Sequence, residues 1–330
     1  MDELDKAILD AATRDDQSAL AGLLVRRAAQ RLTRGELADA STDLGDAAGF
    51  LRALGRLDET AHLLQAQATA LRGAGFLDEA IDRATAACAL APEGTPGRVA
   101  AETELGEGNL LAGRADAAVA AYERALAHGR EAGLVEIAQA ALQRRLAMAH
   151  SIAGRHTAAA EAAEEAARLY AIAKRPDGEA RARIEAATAL VAAGFGAVAV
   201  DAIAEARQAA AGDPSAIAEL ELLEAARALR GHRAADALVH ARTARTAARE
   251  GDALLPYVAA AFTIADLLDL AGDRPGAYDS LAVGWVTAAD KIGQDLAAAM
   301  FRPRVEALRT SWGAPEFERI KDAYYAARRT

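Results

Sequence analysis

Few side chains in this sequence stand at spacings that could do chemistry. His150 and His156 flank a turn at Gly154, and His232 and His240 lie about two helical turns apart. Two imidazoles could share a metal ion, yet neither pair has a carboxylate at ligand spacing, so packed or solvated rings are the expectation. Gly106-x-Gly108 has the spacing that opens a dinucleotide loop, but it falls inside a helical pattern and does not follow a strand. Cys88 ends an alanine-rich helix and reads as a small core residue. It is the only cysteine, which excludes an intramolecular disulfide and a cysteine-rich metal cluster. The acid pairs Asp15-Asp16 and Glu164-Glu165 suit helix starts and solvated faces. No P-loop, H-E-x-x-H, G-x-S-x-G or C-x-x-C occurs. The expectation is a chain without catalytic residues, metal or cofactor, whose chemistry is recognition.

The elements that would position a recognition surface are helices. From Arg98 to Glu131 two helical patterns are broken by a short turn at Ala112-Gly113-Arg114. On the first, Leu105, Asn109 and Ala112 share a side, with Gly106 beside them. On the second, Ala118, Tyr122, Ala125 and Leu126 recur at i, i+4, i+7 and i+8, the stripe of a helix buried along one face. Gly113 stands where the first helix must stop, and glycine takes the left-handed conformation cheaply. The result is an antiparallel hairpin that cannot bury both outer faces alone.

The sequence repeats it. Related turn signals occur at Gly35, Gly55, Gly75, Gly154, Gly194, Gly231-His232 and Gly272-Asp273. From Gly75 onward the step is roughly 40 residues. Leu105-Gly106, Gly113, Ala118, Tyr122 and Ala125 resemble the tetratricopeptide repeat, with Asn109 in place of the usual aromatic and no closing proline. Since that repeat is ordinarily about 34 residues long, the resemblance is to a long-helix variety. It implies an all-α fold, a right-handed α-α superhelix of stacked hairpins.

Composition agrees. Alanine, the best helix former, exceeds a quarter of the 330 residues, and no alternating β-rich stretch occurs. A formal charge of −10 argues against a nucleic-acid partner, which needs a basic face. No apolar run approaches the about 18 residues of a membrane span, and the acidic start Met1-Asp2-Glu3-Leu4-Asp5 does not read as a signal peptide. A cytoplasmic protein with no membrane partner is the expectation.

In chain order, an N-terminal helix (1–15) precedes helices at 17–33, 37–54, 57–73 and 77–90. Pairing these in order gives two hairpins, and an offset by one helix fits the turns equally well. Thr95-Pro96 and Asp213-Pro214 are helix starts, and hairpins follow at 97–131, 134–173, 177–211, 214–249 and 253–290. One solenoid of seven hairpins thus spans 16–290 and is closed by capping helices at 291–330. Residues 285–330 are rich in aromatics: Trp285, Phe301, Trp312, Phe317, Tyr324 and Tyr325. Two readings stand for it, a cap over the open end of the core and a partner or dimer surface. Pro303 predicts a kink or a fresh helix start near Phe301.

In tetratricopeptide arrays the first helix of each hairpin lines a concave groove, so the resemblance implies lining residues. They are His62, Gln65, Thr69 and Arg72, then Thr103 and Glu107. Arg144 with its neighbour Arg145, Met148 and Ser151 follow, then Arg181, Ile184 and Thr188. Glu221 and finally Phe262, Asp266 and Asp269 complete the set. The chaperone-binding members hold a terminal carboxylate with Lys and Asn at such positions, a pattern absent here because the only asparagine, Asn109, lies off that face. The resemblance implies a non-catalytic scaffold that takes a peptide or protein segment in the groove. The alternative is a bacterial regulator that senses a ligand or peptide with the same array. Arg72, Arg144 and Arg181 would form a basic strip suited to an acidic peptide segment, or would be neutralised by glutamates of neighbouring helices.

Overall fold

The computed structural model describes residues 3–328. Residues 1, 2, 329 and 330, which the sequence reading assigned to the terminal helices, lie outside this range. Among the described residues there are seventeen helices and no strand. They fall into two compact units, divided between Arg175 and Pro176.

The first unit contains α1 (Glu3–Thr13), α2 (Gln17–Thr33), α3 (Leu37–Ala53), α4 (Leu57–Gly73), α5 (Leu77–Leu90), α6 (Pro96–Leu111), α7 (Ala115–Glu131), α8 (Glu136–Ile152) and α9 (His156–Ile172). The second contains α10 (Pro176–Ala193), α11 (Gly196–Ala209), α12 (Pro214–Arg230), α13 (Ala234–Glu250), α14 (Leu254–Leu270), α15 (Arg274–Ile292), α16 (Gln294–Trp312) and α17 (Ala314–Ala326). Within each unit, each helix packs on the next along the chain. The boundaries lie within a few residues of those the turn signals predict. Asp16, Thr95 and Asp213 cap α2, α6 and α12 with side-chain oxygens.

The turn chemistry follows from the need to end a helix and reverse within three residues. At Gly113 (φ +73°) the left-handed backbone lets the Arg114 N–H reach back to the Asn109 carbonyl at 2.8 Å. The α12–α13 turn corrects the sequence reading. Gly231 keeps φ at −82° and His232 takes the left-handed position at φ +57°, with the Arg233 N–H bound to the Ala228 carbonyl. Here the glycine caps the helix, and the histidine bears a conformation costing about 1 kcal/mol in a non-glycine residue.

Alanine fills most of the core and the few large side chains are keyed into glycine notches. Tyr122 of α7 is fully buried, and a Cβ built on Gly106 of α6 would fall 2.5 Å from its ring. In the second unit the fully buried Phe301 sits against Gly284 of α15, where a Cβ would approach the ring to 2.9 Å. Phe301, Leu308 and Trp312 of α16 and Phe317 and Ile320 of α17 join Tyr278 and Leu281 of α15 in one core cluster. The helix α16 runs through Pro303, so of the expected kink or fresh start the fresh start near Phe301 does not occur. Pro303 and Ala299 are both exposed, so the carbonyl that loses its helical partner meets water.

Besides its hairpin partner, α4 packs on α6, α10 on α12, and α12 on α14. Thus α4 and α6 in the first unit, and α10, α12 and α14 in the second, are drawn together, which makes α4 an opening helix.

Candidate functional site

The residues predicted to line a groove are gathered along the seams between opening helices, and most are tied to each other by charge. Arg72 Nε of α4 donates to Glu104 Oε1 of α6 at 2.6 Å, and the Thr69 hydroxyl donates to Glu104 Oε2 at 3.0 Å. Glu107, one turn further along α6, accepts from Arg145 Nε of α8 at 2.5 Å. In the second unit Arg181 Nη1 of α10 donates to Glu219 of α12 at 2.5 Å and lies 3.6 Å from Glu185. Asp266 of α14 accepts from Arg304 of α16 at 3.2 Å, and Asp269 accepts from Trp312 Nε1 at 2.6 Å. The arginines are therefore a ladder of interhelical ion pairs and not a bare basic strip.

These pairs differ in burial. The Glu104 side chain is 7% exposed, and its hydrogen bond is the main reason the Arg72 guanidinium is held above its ordinary pKa. By contrast Arg145 and Arg181 are 42% and 49% exposed. Exposed pairs contribute about 0–1 kcal/mol, whereas opening a pair around a buried charge costs about 3–5 kcal/mol. Beneath the first of these seams lies a group the sequence reading did not single out for this face. The Tyr122 hydroxyl is buried without a hydrogen-bond partner, and burial together with the Glu107 charge pushes its pKa up.

The remaining predicted residues divide. Met148 of α8 is 53% exposed, a large apolar side chain on the face that carries Arg144 and Ser151. Gln65 is half-buried and reaches Thr69 at 3.4 Å, and the exposed Thr188 returns its hydroxyl to the Ile184 carbonyl at 2.7 Å. His62 is exposed, and Thr103 is half-buried with its hydroxyl on the Val99 carbonyl. Phe262 is half-buried, edge-on to Phe301 at 4.9 Å and under the Arg304 guanidinium at 5.1 Å. Two expectations fail. Ile184 is core, because α10 is buried around most of its circumference by Ala182, Ala186, Ala187 and Val191. Glu221 is also buried, turned between α11 and α13, where it accepts from Arg207 and pairs with His240 Nδ1 at 2.7 Å. His240 is thus a hydrogen-bond partner of Glu221.

Of the candidate chemical residues, Cys88 is buried and free, and burial raises its thiol pKa to about 12. His150 and His156 each bury an Nδ1 without a partner, and burial lowers the His150 pKa. Among the described residues no group of three or more His, Cys, Asp or Glu could hold a metal ion. Likewise no helix among them is long and apolar enough to cross a membrane.

No protein-family model matches the sequence. No curated protein matches it. Solved structures match the fold. The apo quorum sensor NprR from B. thuringiensis aligns with a TM-score of 0.58 at 12% identity, over 94% of this chain and 85% of that one. The apo form of RapI aligns at 0.57 and 13% identity, over 82% of this chain and 98% of that one. NprR in complex with its cognate peptide NprX aligns at 0.50 and 12% identity, over 97% and 87%. Such identities speak for the fold alone, which is that of the tetratricopeptide-like helical repeats, an all-α solenoid of stacked hairpins.

Proposed function

We propose that this chain is a non-catalytic binding module that takes a peptide, or an extended or helical segment of another protein, along the inner face of its opening helices. The observation that carries the reading is the seam chemistry. Arg145 and Arg181 present half-exposed guanidiniums whose partners Glu107 and Glu219 are partly exposed, so a ligand carboxylate can replace these at less cost than the buried Glu104. Arg72, committed to the buried Glu104, stays a structural strut. Met148 adds an exposed apolar contact beside Arg144 and Arg145. Gln65 and Glu107 extend the face of the first unit, and Thr188, Phe262, Asp266 and Asp269 belong to the face of the second. The ligand that suits the first set has an acidic segment flanked by apolar residues. The setting we propose is the cytoplasm, in keeping with the free thiol of Cys88.

A second reading, a peptide-sensing regulator, is favoured by the fold shared with NprR, which has been captured both without a ligand and with its cognate peptide. The two readings share one binding face and differ in what binding does. Panning a displayed random-peptide library against the purified chain tests the face. Enriched peptides should carry Asp or Glu, and their capture should fall at least about ten-fold for Met148→Glu and for Arg145→Glu, with the melting temperature little changed. Capture that survives both replacements would place the ligand elsewhere. A sensor would in addition change its small-angle scattering profile when the peptide is added, and a scaffold would not.

A further inference from the structure

A second concave feature lies on a different face of α4 from the seam. A cavity of about 250 Å³ is enclosed by α3, α4 and α5. Its floor is Ala48 and Leu64, both buried. Gly45 and Gly49 of α3 form one wall, and a Cβ on Gly49 would meet nothing within 4 Å, so that side is open. A Cβ on Gly45 would fall 2.5 Å from Gln67 Nε2, which shows that the amide lies directly over the glycine backbone. Gln67 Oε1 is buried and has no hydrogen-bond partner. Two exposed arginines complete the lining, Arg52 from α3 and Arg83 from α5, and no carboxylate is among the lining residues. In an acidic protein whose Arg72, Arg145 and Arg181 are matched to acids, this convergence of two cations on one cavity calls for a negative ligand.

We propose that the cavity binds a small α-amino or α-hydroxy carboxylic acid. The two guanidiniums offer planar N–H forks to a carboxylate. The unpaired Gln67 carbonyl needs a donor, which the adjacent ammonium or hydroxyl group supplies, and an unpaired buried acceptor is costly enough to discriminate. Ala48 and Leu64 take a short apolar side chain. The small volume, about 250 Å³, suits a short acid whose apolar end rests on Ala48 and Leu64.

The test uses the full chain at low salt and saturation-transfer NMR with L-alanine, L-lactate and propionate. The first two carry the donor and propionate does not. Binding of alanine or lactate, with propionate at least about ten-fold weaker, is the expected result, and the stronger of the two identifies the amino or the hydroxy source. Gly49→Leu should fill the open side and abolish binding while the melting temperature holds or rises, because leucine is the better helix former. The double replacement Arg52→Ala and Arg83→Ala should abolish binding too. The proposal is overturned if neither acid binds at millimolar concentration, if propionate binds as well as they do, or if both variants bind like the parent.

Discussion

The Gly106–Tyr122 notch is the most exacting test of how the first unit is held together. Tyr122 is 0% exposed, so Tyr122→Ala leaves a cavity and should cost about 3–5 kcal/mol. Tyr122→Phe removes a hydroxyl that lies near the Glu107 carboxylate without a well-formed hydrogen bond, so it should change stability by no more than about 1 kcal/mol. Gly106→Ala places a methyl 2.5 Å from the ring, an overpacking cost of about 1–3 kcal/mol offset by about 1 kcal/mol of helix propensity. In Gly106→Ala/Tyr122→Ala the new methyl enters the vacated space. The pair should therefore be less damaging than the sum of its parts by about 1–2 kcal/mol. Urea unfolding followed by circular dichroism reads the helices of both units. Fluorescence of Trp285 and Trp312 reads the second alone, so the shift must be sought in the dichroism. A loss above about 1.5 kcal/mol for Tyr122→Phe would mean the hydroxyl is bound, and additivity in the cycle would mean that ring and glycine do not meet. The second result refutes the notch, and the first refutes only the claim that the hydroxyl contributes little.

Three further outcomes are expected. Cys88, buried and with its pKa raised to about 12, should resist thiol reagents at pH 8 in the folded chain and react only on unfolding, so rapid labelling under native conditions would contradict its burial. The folded-state pKa of His150 is depressed by burial, so the unfolded chain binds the extra proton and stability should fall as pH drops through and below 6.5; His150→Gln should flatten that slope, and an unchanged slope would contradict the assignment. Deleting 294–330 strips α16 and α17 from Tyr278 and Leu281, so the truncated chain should aggregate or lose stability; a monomer of unaltered stability would mean these helices serve a partner.

The helices were legible because their signals are local. Glycine at Gly35, Gly55, Gly75 and Gly113, and caps at Asp16, Thr95 and Asp213, mark starts and stops that need no knowledge of neighbours. Where the signal was a single residue type it misled. Gly231 suggested the left-handed position that His232 occupies, because the turn is fixed by the reversal it must make. Pro303 suggested a kink or a fresh start, and its exposed position makes the fresh start unnecessary. Ile184 was assigned by helical spacing to an inner face, but the charged residues Asp177, Glu179, Arg181, Arg183 and Glu185 alternate along α10 and mark no single polar face, so spacing alone could not orient it.

The candidate site was half legible for a different reason. Arg72, Glu107, Arg145, Arg181, Asp266 and Asp269 were all placed on the opening helices, but their partners depend on how far one hairpin is offset from the next. That offset leaves a trace in the sequence. Glu107 and Arg145, Arg181 and Glu219, and Asp266 and Arg304 are each 38 residues apart, one repeat, with opposite charges in every case. Complementary charges recurring at the repeat length therefore read as pairs across a seam, and a strip of like charge is the wrong inference from such positions. The exception locates the rigid part of the face. Arg72 and Glu104 are only 32 apart and lie where the intervening helix α5 is short, and there the acid is buried. A ligand acid competing along this face in the first unit should thus displace Glu107 from Arg145 before it disturbs Arg72. Arg145→Glu should weaken capture without unfolding the chain, whereas Arg72→Ala should destabilise it by about 3–5 kcal/mol through the stranded Glu104 charge.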